Sequence, residues 1–326
     1  MAYGFLAAGL LLLLLGSESA VRGGVWLGRE LGLSPLLVGV LIISTATSAP
    51  ELFVSLRAAT VGAPDIALGG IVGTNILNIM LVLGLGALIR PIASPPKVVL
   101  RDGGAMLAGS LALAFFALGG VVSRRDGLFL LAGFVAYIVV IILTDWRRST
   151  DHSVPQARAE AMMQGNPPPI IGGLFLLIFG AILLVLGAHF SVAGSLALAR
   201  KFHLSEAFIG LTIIAFGTAL PKLIATLVAA VRGDTHLAAG HVIGANAFNL
   251  LGVLGLMATV APLPVSPLLR SVDITVMLAA SAILLPLLAM RWRLSRPRGT
   301  LLLIAYGCYL AFLFWRQGLL PLHAIG

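Results

Sequence analysis

Long apolar runs recur along the whole chain, separated by short patches that hold most of the arginine and lysine. A bilayer core about 30 Å thick needs roughly 20 apolar residues per helix. Runs of about this length are predicted to form membrane spans at 3–21, 35–60, 66–89, 103–121, 127–144, 169–199, 206–230, 237–260, 271–290 and 299–316. The pattern therefore predicts an all-α polytopic membrane protein with ten transmembrane helices.

The composition supports a membrane protein. The 326 residues are 59% hydrophobic and 10% charged, with a mean hydropathy of +1.07, which excludes an ordinary soluble domain. The first apolar run lacks a basic n-region, so we interpret it as mature structure and not as a signal peptide. Cys308 is alone within the last span and supports neither a disulfide nor a cysteine metal site.

The basic residues predict the orientation of the chain. The net charge is +9, yet these residues are dispersed among loops, which favours membrane orientation over a nucleic-acid partner. One side is richer in them, and it holds Arg22, Arg29, Arg90, Lys97, Arg101, Arg147, Arg148, Arg158, Arg232, Arg291, Arg293, Arg296 and Arg298. The richer side should be cytoplasmic. We therefore expect a multi-pass protein of a bacterial or archaeal inner membrane, with both termini outside the cytoplasm.

The chain contains an internal repeat. An offset of 171 residues aligns 33–85 with 204–256 without a gap, and about 20 of roughly 53 paired positions are identical, mostly polar, Gly and Pro residues. Five spans per half is an odd number, so the halves must be inverted. We expect a first five-helix repeat at 1–144, a cytoplasmic linker at 145–168 and a second repeat at 169–326. In such transporters the binding site lies near the midplane, where the repeats meet.

Two repeated polar segments interrupt spans. The first runs from Thr45 to Glu51 and the second from Phe216 to Lys222, each with a proline that removes a backbone donor and frees a carbonyl that can face an ion. A mid-span carboxylate at Glu51 costs several kcal/mol unless it meets a partner, water or an ion. Glu51 is therefore the strongest functional candidate, with a structural lock to Lys222 as the alternative.

Hydroxyl and amide residues complete the candidate site. Thr47 and Ser48 lie on the helix face of Glu51, and such a cluster suits a hard cation, although a threonine can instead bond its own preceding carbonyl. Further candidates recur across the repeat, with Asn78 and Asn249 the preferred ligands and helix-to-helix bonding the alternative: Thr74, Asn75, Asn78, Thr218, Asn246 and Asn249. Glu18 and His241 are candidates for proton coupling, the alternatives being an interfacial and a packed side chain.

These motifs resemble the two alpha repeats of the sodium/calcium exchanger family, within the calcium/cation antiporter superfamily. The similarity covers almost the whole chain and rests on the segments 47–51, 73–78, 217–221 and 244–249. It implies ten helices, with the second, third, seventh and eighth around a central ion site and the long first and sixth sliding against them. It further implies transport of Na+, H+ or Ca2+ with no cofactor, and Glu51, Asn78 and Asn249 as the metal ligands if Ca2+ or Na+ binds.

The second half departs from this family, because Lys222 stands where an acid is expected. Ala219 and Ala245 replace serines, and Asn249 stands where an acid sometimes occurs. Glu51 and a protonated Lys222 sum to zero charge, and unit charges about 4 Å apart interact by several kcal/mol at a dielectric near 20, so Ca2+ should bind weakly.

Three functions remain open. Burial disfavours the charged form of a lysine, so Lys222 can yield its proton to an entering monovalent cation, which predicts a cation/proton antiporter with atypical second repeat. The alternatives are an ordinary Ca2+/Na+ or Ca2+/H+ antiporter, and a degenerate carrier or a carrier of an anionic or organic substrate. The chain shows no phosphate-binding loop or catalytic metal spacing, and its polar motifs are duplicated, so we expect no enzyme activity. Its expected partners are the lipid bilayer and small cations, with no nucleic acid or nucleotide.

Overall fold

The computed structural model describes residues 2–33, 38–93, 95–146, 170–232 and 235–319. Within these residues the fold is all-α, apart from four two-residue strands. The helices are α1 (Ala2–Glu30), α2 (Val38–Ile43, Ser44–Thr47 and Ala49–Thr60), α3 (Pro64–Ile89), α4 (Val98–Ala117), α5 (Arg124–Trp146), α6 (Ile170–Phe202), α7 (Glu206–Arg232), α8 (Thr235–Val260), α9 (Leu269–Ala289) and α10 (Arg296–Arg316).

The predicted membrane architecture is confirmed. Nine helices of the described residues are long and apolar enough to cross a bilayer, and α2 is the tenth, divided at Ser48. The largest boundary error concerns the first span. It is predicted to end at residue 21, whereas α1 continues past Arg22 to Glu30. Helix α5 extends two residues into the predicted linker, and the rest of that linker lies outside the described residues.

The two halves are related by a pseudo-two-fold axis. Repeat mates can touch each other only near such an axis, and three pairs of mates are hydrogen-bonded. Lys222 donates to Glu51, Asn246 Nδ2 donates to the carbonyl of Asn75 at 3.2 Å, and the hydroxyls of Ser110 and Ser281 are 3.1 Å apart. The axis therefore passes between α2 and α7, between α3 and α8, and between α4 and α9.

The repeat also extends to the backbone. Helices contain π-helical turns at Val38–Ile43, Asn78–Val82 and Val98–Asp102, and corresponding turns occur at Gly210–Ile214, Phe248–Val253 and Leu269–Asp273. Such turns displace side chains around the helix and are frequent at functional sites. Two of them carry candidate residues, since Asn78 and Asn249 lie in α3 and α8.

Helices α3 and α8 form the centre of the protein. In the most apolar 18-residue stretch of each helix, 94% of the residues are buried in α3 and 83% in α8, against 22% in α5, α6 and α10. Because α3 and α8 are surrounded by other helices, their buried amides and hydroxyls point at protein and not at lipid. The candidate site is thus enclosed by protein and does not face lipid.

Helices α1 and α6 pack as an antiparallel pair with touching backbones. Glycines recur every seven residues on both helices: Gly9, Gly16 and Gly23 on α1, and Gly173, Gly180, Gly187 and Gly194 on α6. A Cβ at Gly16 would lie 2.9 Å from the carbonyl oxygen of Gly180, and one at Gly180 would lie 2.7 Å from the backbone nitrogen of Ala20. Only glycine permits this approach, so the two helices form one closely joined unit.

Two short antiparallel strand pairs join the repeats. Strand β1 (Ile92–Ala93) pairs with β4 (Arg293–Leu294), and β2 (Val121–Val122) pairs with β3 (Leu263–Pro264). Since β1 precedes α4 and β2 follows it, the two pairs lie at opposite ends of that helix. Each pair connects a linker of the first repeat to one of the second.

Candidate functional site

Helix α2 is interrupted directly before Pro50. Ser48 has φ −97° and ψ 0°, and the helix restarts at Ala49. Pro50 has no N–H, so the carbonyl of Ala46, four residues earlier, loses its α-helical donor and instead accepts from a backbone N–H at the end of Ser44–Thr47. The hydroxyl of Ser17 on α1 donates to this carbonyl at 2.7 Å. The carbonyl of Ala46 therefore contacts Ser17, and the expectation that a freed carbonyl faces an ion stays a prediction.

The predicted second break does not occur. Helix α7 continues through Pro221 from Ala215 to Arg232. The neighbouring helix differs as well, because the repeat mate of Ser17 on α6 is Ala188, which has no hydroxyl. The two halves of the site therefore differ in backbone as well as in charge.

Glu51 and Lys222 form an ion pair on the pseudo-two-fold axis. Lys222 Nζ donates to Glu51 Oε1, and the two residues are 1% and 2% exposed. Glu51 lies in the first turn of the helix that starts at Ala49, where the positive end of the helix dipole favours a carboxylate. The other oxygen, Oε2, has no hydrogen-bond donor among the described residues. One oxygen of the carboxylate therefore accepts from the ammonium, and the other remains available as a ligand.

The four amides are buried but not equivalent. Asn78 Nδ2 donates to Asn246 Oδ1 at 2.8 Å, and Asn75 Nδ2 donates to the carbonyl of Ile71 at 2.7 Å. Within the described residues, Asn249 makes no hydrogen bond with either amide atom, although it is 0% exposed. A buried amide without partners costs about 1–3 kcal/mol. Asn249 is therefore the amide with the most unused hydrogen-bonding capacity.

The threonine hydroxyls bond to their own helices, as the alternative interpretation held. Thr47 Oγ1 donates to the carbonyl of Ile43 at 2.9 Å, and Thr218 Oγ1 to that of Ile214 at 3.1 Å. The Oγ1 atoms of Thr74 and Thr218 also lie 3.3 Å apart, which links α3 to α7. A threonine hydroxyl that donates to its helix still has lone pairs that can accept or ligate.

The site is rich in oxygen atoms without donors. Among the candidate site residues, five buried side-chain oxygens lack a hydrogen-bond partner within the described part of the chain: Ser48 Oγ, Glu51 Oε2, Asn75 Oδ1, Asn78 Oδ1 and Asn249 Oδ1. Carboxylate, amide and hydroxyl oxygens are the ligands of hard cations. The described residues contain no cluster of three His, Cys, Asp or Glu side chains, so a cation here would meet one carboxylate.

The two proton-coupling candidates lie apart from the ion pair in sequence and environment. Glu18 is on α1 and pairs with Arg22 at 2.9 Å, with both side chains largely exposed. His241 is half-buried on α8, five residues before Asn246. Neither makes a described hydrogen bond to Glu51 or Lys222, and their role in proton coupling stays a prediction.

The internal repeat extends beyond residue 85 to residues of α4 and α9 that lie next to the site. Met106 Sδ on α4 lies 3.7 Å from Asn246 Nδ2, one turn from Ser110. Continuing the offset of 171 past residue 85 pairs Asp102 with Asp273, Met106 with Met277 and Ser110 with Ser281. These residues are four apart on one helix face. The same signal that gave the asparagines therefore also indicates the inner faces of α4 and α9.

Two buried aspartates anchor the outer helices. Asp102 accepts from Arg101 at 2.6 Å and from Tyr137 at 3.1 Å. Its repeat mate Asp273 accepts from Arg316 at 3.0 Å and from Tyr309 at 2.9 Å. Each aspartate is bonded by a tyrosine of the following helix, which fixes α5 against α4 and α10 against α9.

Ten helices in inverted halves, with a charged pair between the repeats, define a secondary transporter of small ions. The sequence profile of the family described as sodium/calcium exchanger protein matches residues 1–143 and 172–315. The chain therefore belongs to the sodium/calcium exchanger family and is a cation antiporter of that type.

Individual relatives cover nearly the whole chain. Inner membrane protein YrbG of Escherichia coli (strain K12) is 38% identical over 98% of this chain and 99% of its own length. Sodium/calcium exchanger MaX1 of Methanosarcina acetivorans is 29% identical over 95% of this chain and 97% of its own. A solved structure of the sodium-calcium exchanger NCX_Mj, soaked with Na+ and Sr2+, matches with a TM-score of 0.64 at 30% identity, covering 95% of this chain and 97% of that one.

Proposed function

We propose that this protein exchanges a monovalent cation, most simply Na+, for a proton, with Glu51 as the anionic ligand and Lys222 as the proton carrier. The observation that carries the proposal is the bond between the Lys222 ammonium and Glu51, buried on the axis that relates the two repeats. An ammonium in contact with the carboxylate occupies the place of a bound cation. The protein therefore contains a tethered competitor for its own substrate.

Charge conservation dictates the stoichiometry. The protonated site, Glu51 carboxylate plus Lys222 ammonium, has no net charge. When Lys222 loses its proton and one Na+ binds, the site again has no net charge. The deprotonated site without Na+ has one uncompensated negative charge, which costs several kcal/mol in the bilayer interior. Only the two neutral forms of the site can readily change the side of the membrane to which they are open. One Na+ is therefore exchanged for one proton, and no net charge is transferred.

The oxygens around the ion pair provide the remaining ligands. Glu51 Oε2 and Ser48 Oγ are one turn apart on α2, and Asn78 and Asn249 lie on the two central helices. A deprotonated Lys222 becomes a neutral amine that no longer repels the cation. We assign Thr47, Thr74, Asn75, Thr218 and Asn246 the role of holding these groups in position through the hydrogen bonds between α2, α3, α7 and α8.

Calcium exchange is the second candidate, supported by the similarity to sodium/calcium exchanger MaX1 and to the sodium-calcium exchanger NCX_Mj. The charges of the site oppose it. Ca2+ beside Glu51 and an ammonium would leave two uncompensated positive charges, and even with a neutral Lys222 one would remain. Amide and hydroxyl oxygens solvate that charge but do not neutralise it.

Proteoliposomes distinguish the two candidates. Vesicles with an acidic interior should take up radiolabelled Na+, and an imposed membrane potential should leave the rate unchanged. Lys222→Gln should abolish acceleration by the pH gradient, because glutamine carries no proton. Lys201→Gln, at the exposed end of α6, is the matched control and should transport normally. Na+-driven uptake of Ca2+ by the unaltered protein, with no response to the pH gradient, would contradict the proposal.

A further inference from the structure

A lateral groove of about 360 Å³ lies between α4 and α5, outside the candidate ion site. Pockets that take small ligands have roughly 300–1,000 Å³. Small side chains form its walls, and Leu251 of α8 also lines it; the small residues are Ala105, Ala108, Ala112, Gly133 and Ala136. Its lining is almost entirely apolar, so it fits a hydrocarbon ligand.

Two wall positions of the groove differ between α4 and its repeat mate. At the offset of 171, Ala105 corresponds to Val276 and Ala112 to Ile283 on α9. Branched side chains thus occupy the positions at which α4 has only methyl groups. Helix α4 therefore departs from its own repeat mate along the wall of the groove.

The groove opens toward the bilayer. Ala108, Phe129 and Val140 line it and are exposed on the outer surface of a membrane protein, where hydrocarbon is the solvent. From Arg101 to Ala112 the wall extends eleven residues, about 16 Å at roughly 1.5 Å per residue. This length is half of a bilayer core about 30 Å thick, which is one leaflet. One acyl chain fits that depth.

The end of the groove is basic. Arg101 lines it, and its position is fixed by bonds to Asp102 at 2.6 Å and to Thr144 at 3.2 Å. Asp102 is paired with Arg101, and Lys97, directly before the start of α4, is a second basic residue at this end of the helix. Both basic residues belong to the side predicted to be cytoplasmic, and basic residues at a membrane surface attract anionic lipids.

We infer that this groove binds one anionic phospholipid, with an acyl chain between α4 and α5 and the head group at Lys97 and Arg101. The bound chain contacts Leu251, which belongs to the π-helical turn Phe248–Val253. Asn249 lies in the same turn. The lipid therefore supports the backbone that positions this amide, and it is a structural ligand of the transporter.

Native mass spectrometry of the purified protein tests the site without any transport measurement. Phosphatidylglycerol and phosphatidylcholine with identical acyl chains are titrated separately. The unaltered protein should retain one phosphatidylglycerol per chain about tenfold more strongly than phosphatidylcholine, as expected for basic groups beside an anionic head group. Lys97→Gln should reduce this preference and leave the binding of phosphatidylcholine unchanged.

The groove itself is tested by installing the side chains of its repeat mate. Ala105→Val with Ala112→Ile should reduce the retention of phosphatidylglycerol at least several-fold, because the added carbons occupy the space of the acyl chain. Ala132→Ile, on the exposed face of α5 and outside the groove lining, is the matched control and should retain the lipid.

Two results would overturn the inference. One is equal retention of the two lipids by the unaltered protein, which indicates general solvation by lipid. The other is unchanged retention of phosphatidylglycerol in the filled variant. If that variant aggregates during size-exclusion chromatography, the lipid comparison on the unaltered protein and Lys97→Gln decides. The experiment measures lipid binding and not transport. The lipid site can therefore be confirmed when the proposed cation/proton exchange is refuted, and it can be refuted when that exchange is confirmed.

Discussion

Lys222→Glu should convert the protein into one that binds Ca2+. A Ca2+ ion held by Glu51 would lie about 4 Å from the Lys222 ammonium, and at a dielectric near 20 the repulsion is about 8 kcal/mol. Deprotonation of Lys222 relieves part of this repulsion, but the second positive charge of Ca2+ then stays uncompensated. A second carboxylate removes the repulsion and supplies the missing charge. We therefore expect Ca2+ to bind at least about hundredfold more tightly in the variant, a difference of about 2.7 kcal/mol.

Calorimetric titration of Ca2+ into the detergent-solubilised protein measures this difference directly. Lys222→Met, which removes the charge and keeps the apolar stem, is the matched control and should show an intermediate affinity. Uptake of radiolabelled Ca2+ into proteoliposomes then shows whether the tighter site also transports. Equal Ca2+ affinity of the unaltered protein and Lys222→Glu would refute the reasoning, because the charge of Lys222 would then have no effect on the site.

Further predictions concern the supports of the site. Glu51→Gln should lower the unfolding free energy by about 3–5 kcal/mol, because it breaks a buried ion pair. The double variant Glu51→Lys with Lys222→Glu should restore most of this stability, because both positions lie on the pseudo-two-fold axis. Thermal unfolding measures both stabilities, and equal instability of the two variants would count against an ion pair on the axis. Ser17→Ala should lower the unfolding free energy by about 0.5–1.5 kcal/mol by removing one of the two hydrogen bonds to the carbonyl of Ala46, and an unchanged melting temperature would show that this bond contributes nothing to stability. Gly16→Leu should cost more than about 1–3 kcal/mol in the same measurement, because its Cβ would lie 2.9 Å from a carbonyl oxygen of α6, and a stable variant would show that the two helices can separate.

The sequence alone predicts most of this architecture, because hydropathy and an odd number of spans per repeat leave few alternatives. It also predicts that Glu51 and Lys222 meet, since they are repeat mates in symmetry-related segments, and the structure pairs them. The path of α7 through Pro221 could not be predicted from α7 itself. The same is true of the hydrogen bond between Ser17 and the carbonyl of Ala46, which joins residues far apart in the chain.

Hydrogen-bond partners within the site were also beyond the sequence. Asn78 and Asn249 are repeat mates, and the sequence treats them alike, yet only Asn78 bonds another amide in the structure. A duplicated motif indicates which residues face the axis. It does not indicate how packing divides a limited number of donors among them.

The central claim is that a monovalent cation and the Lys222 proton compete for Glu51. The most direct measurement is proton release from the solubilised protein in weakly buffered solution when Na+ is added, followed with a pH indicator. One proton should be released for each Na+ bound by the unaltered protein, and none by Lys222→Gln. Na+ binding without proton release, or equal release from both proteins, would contradict the account.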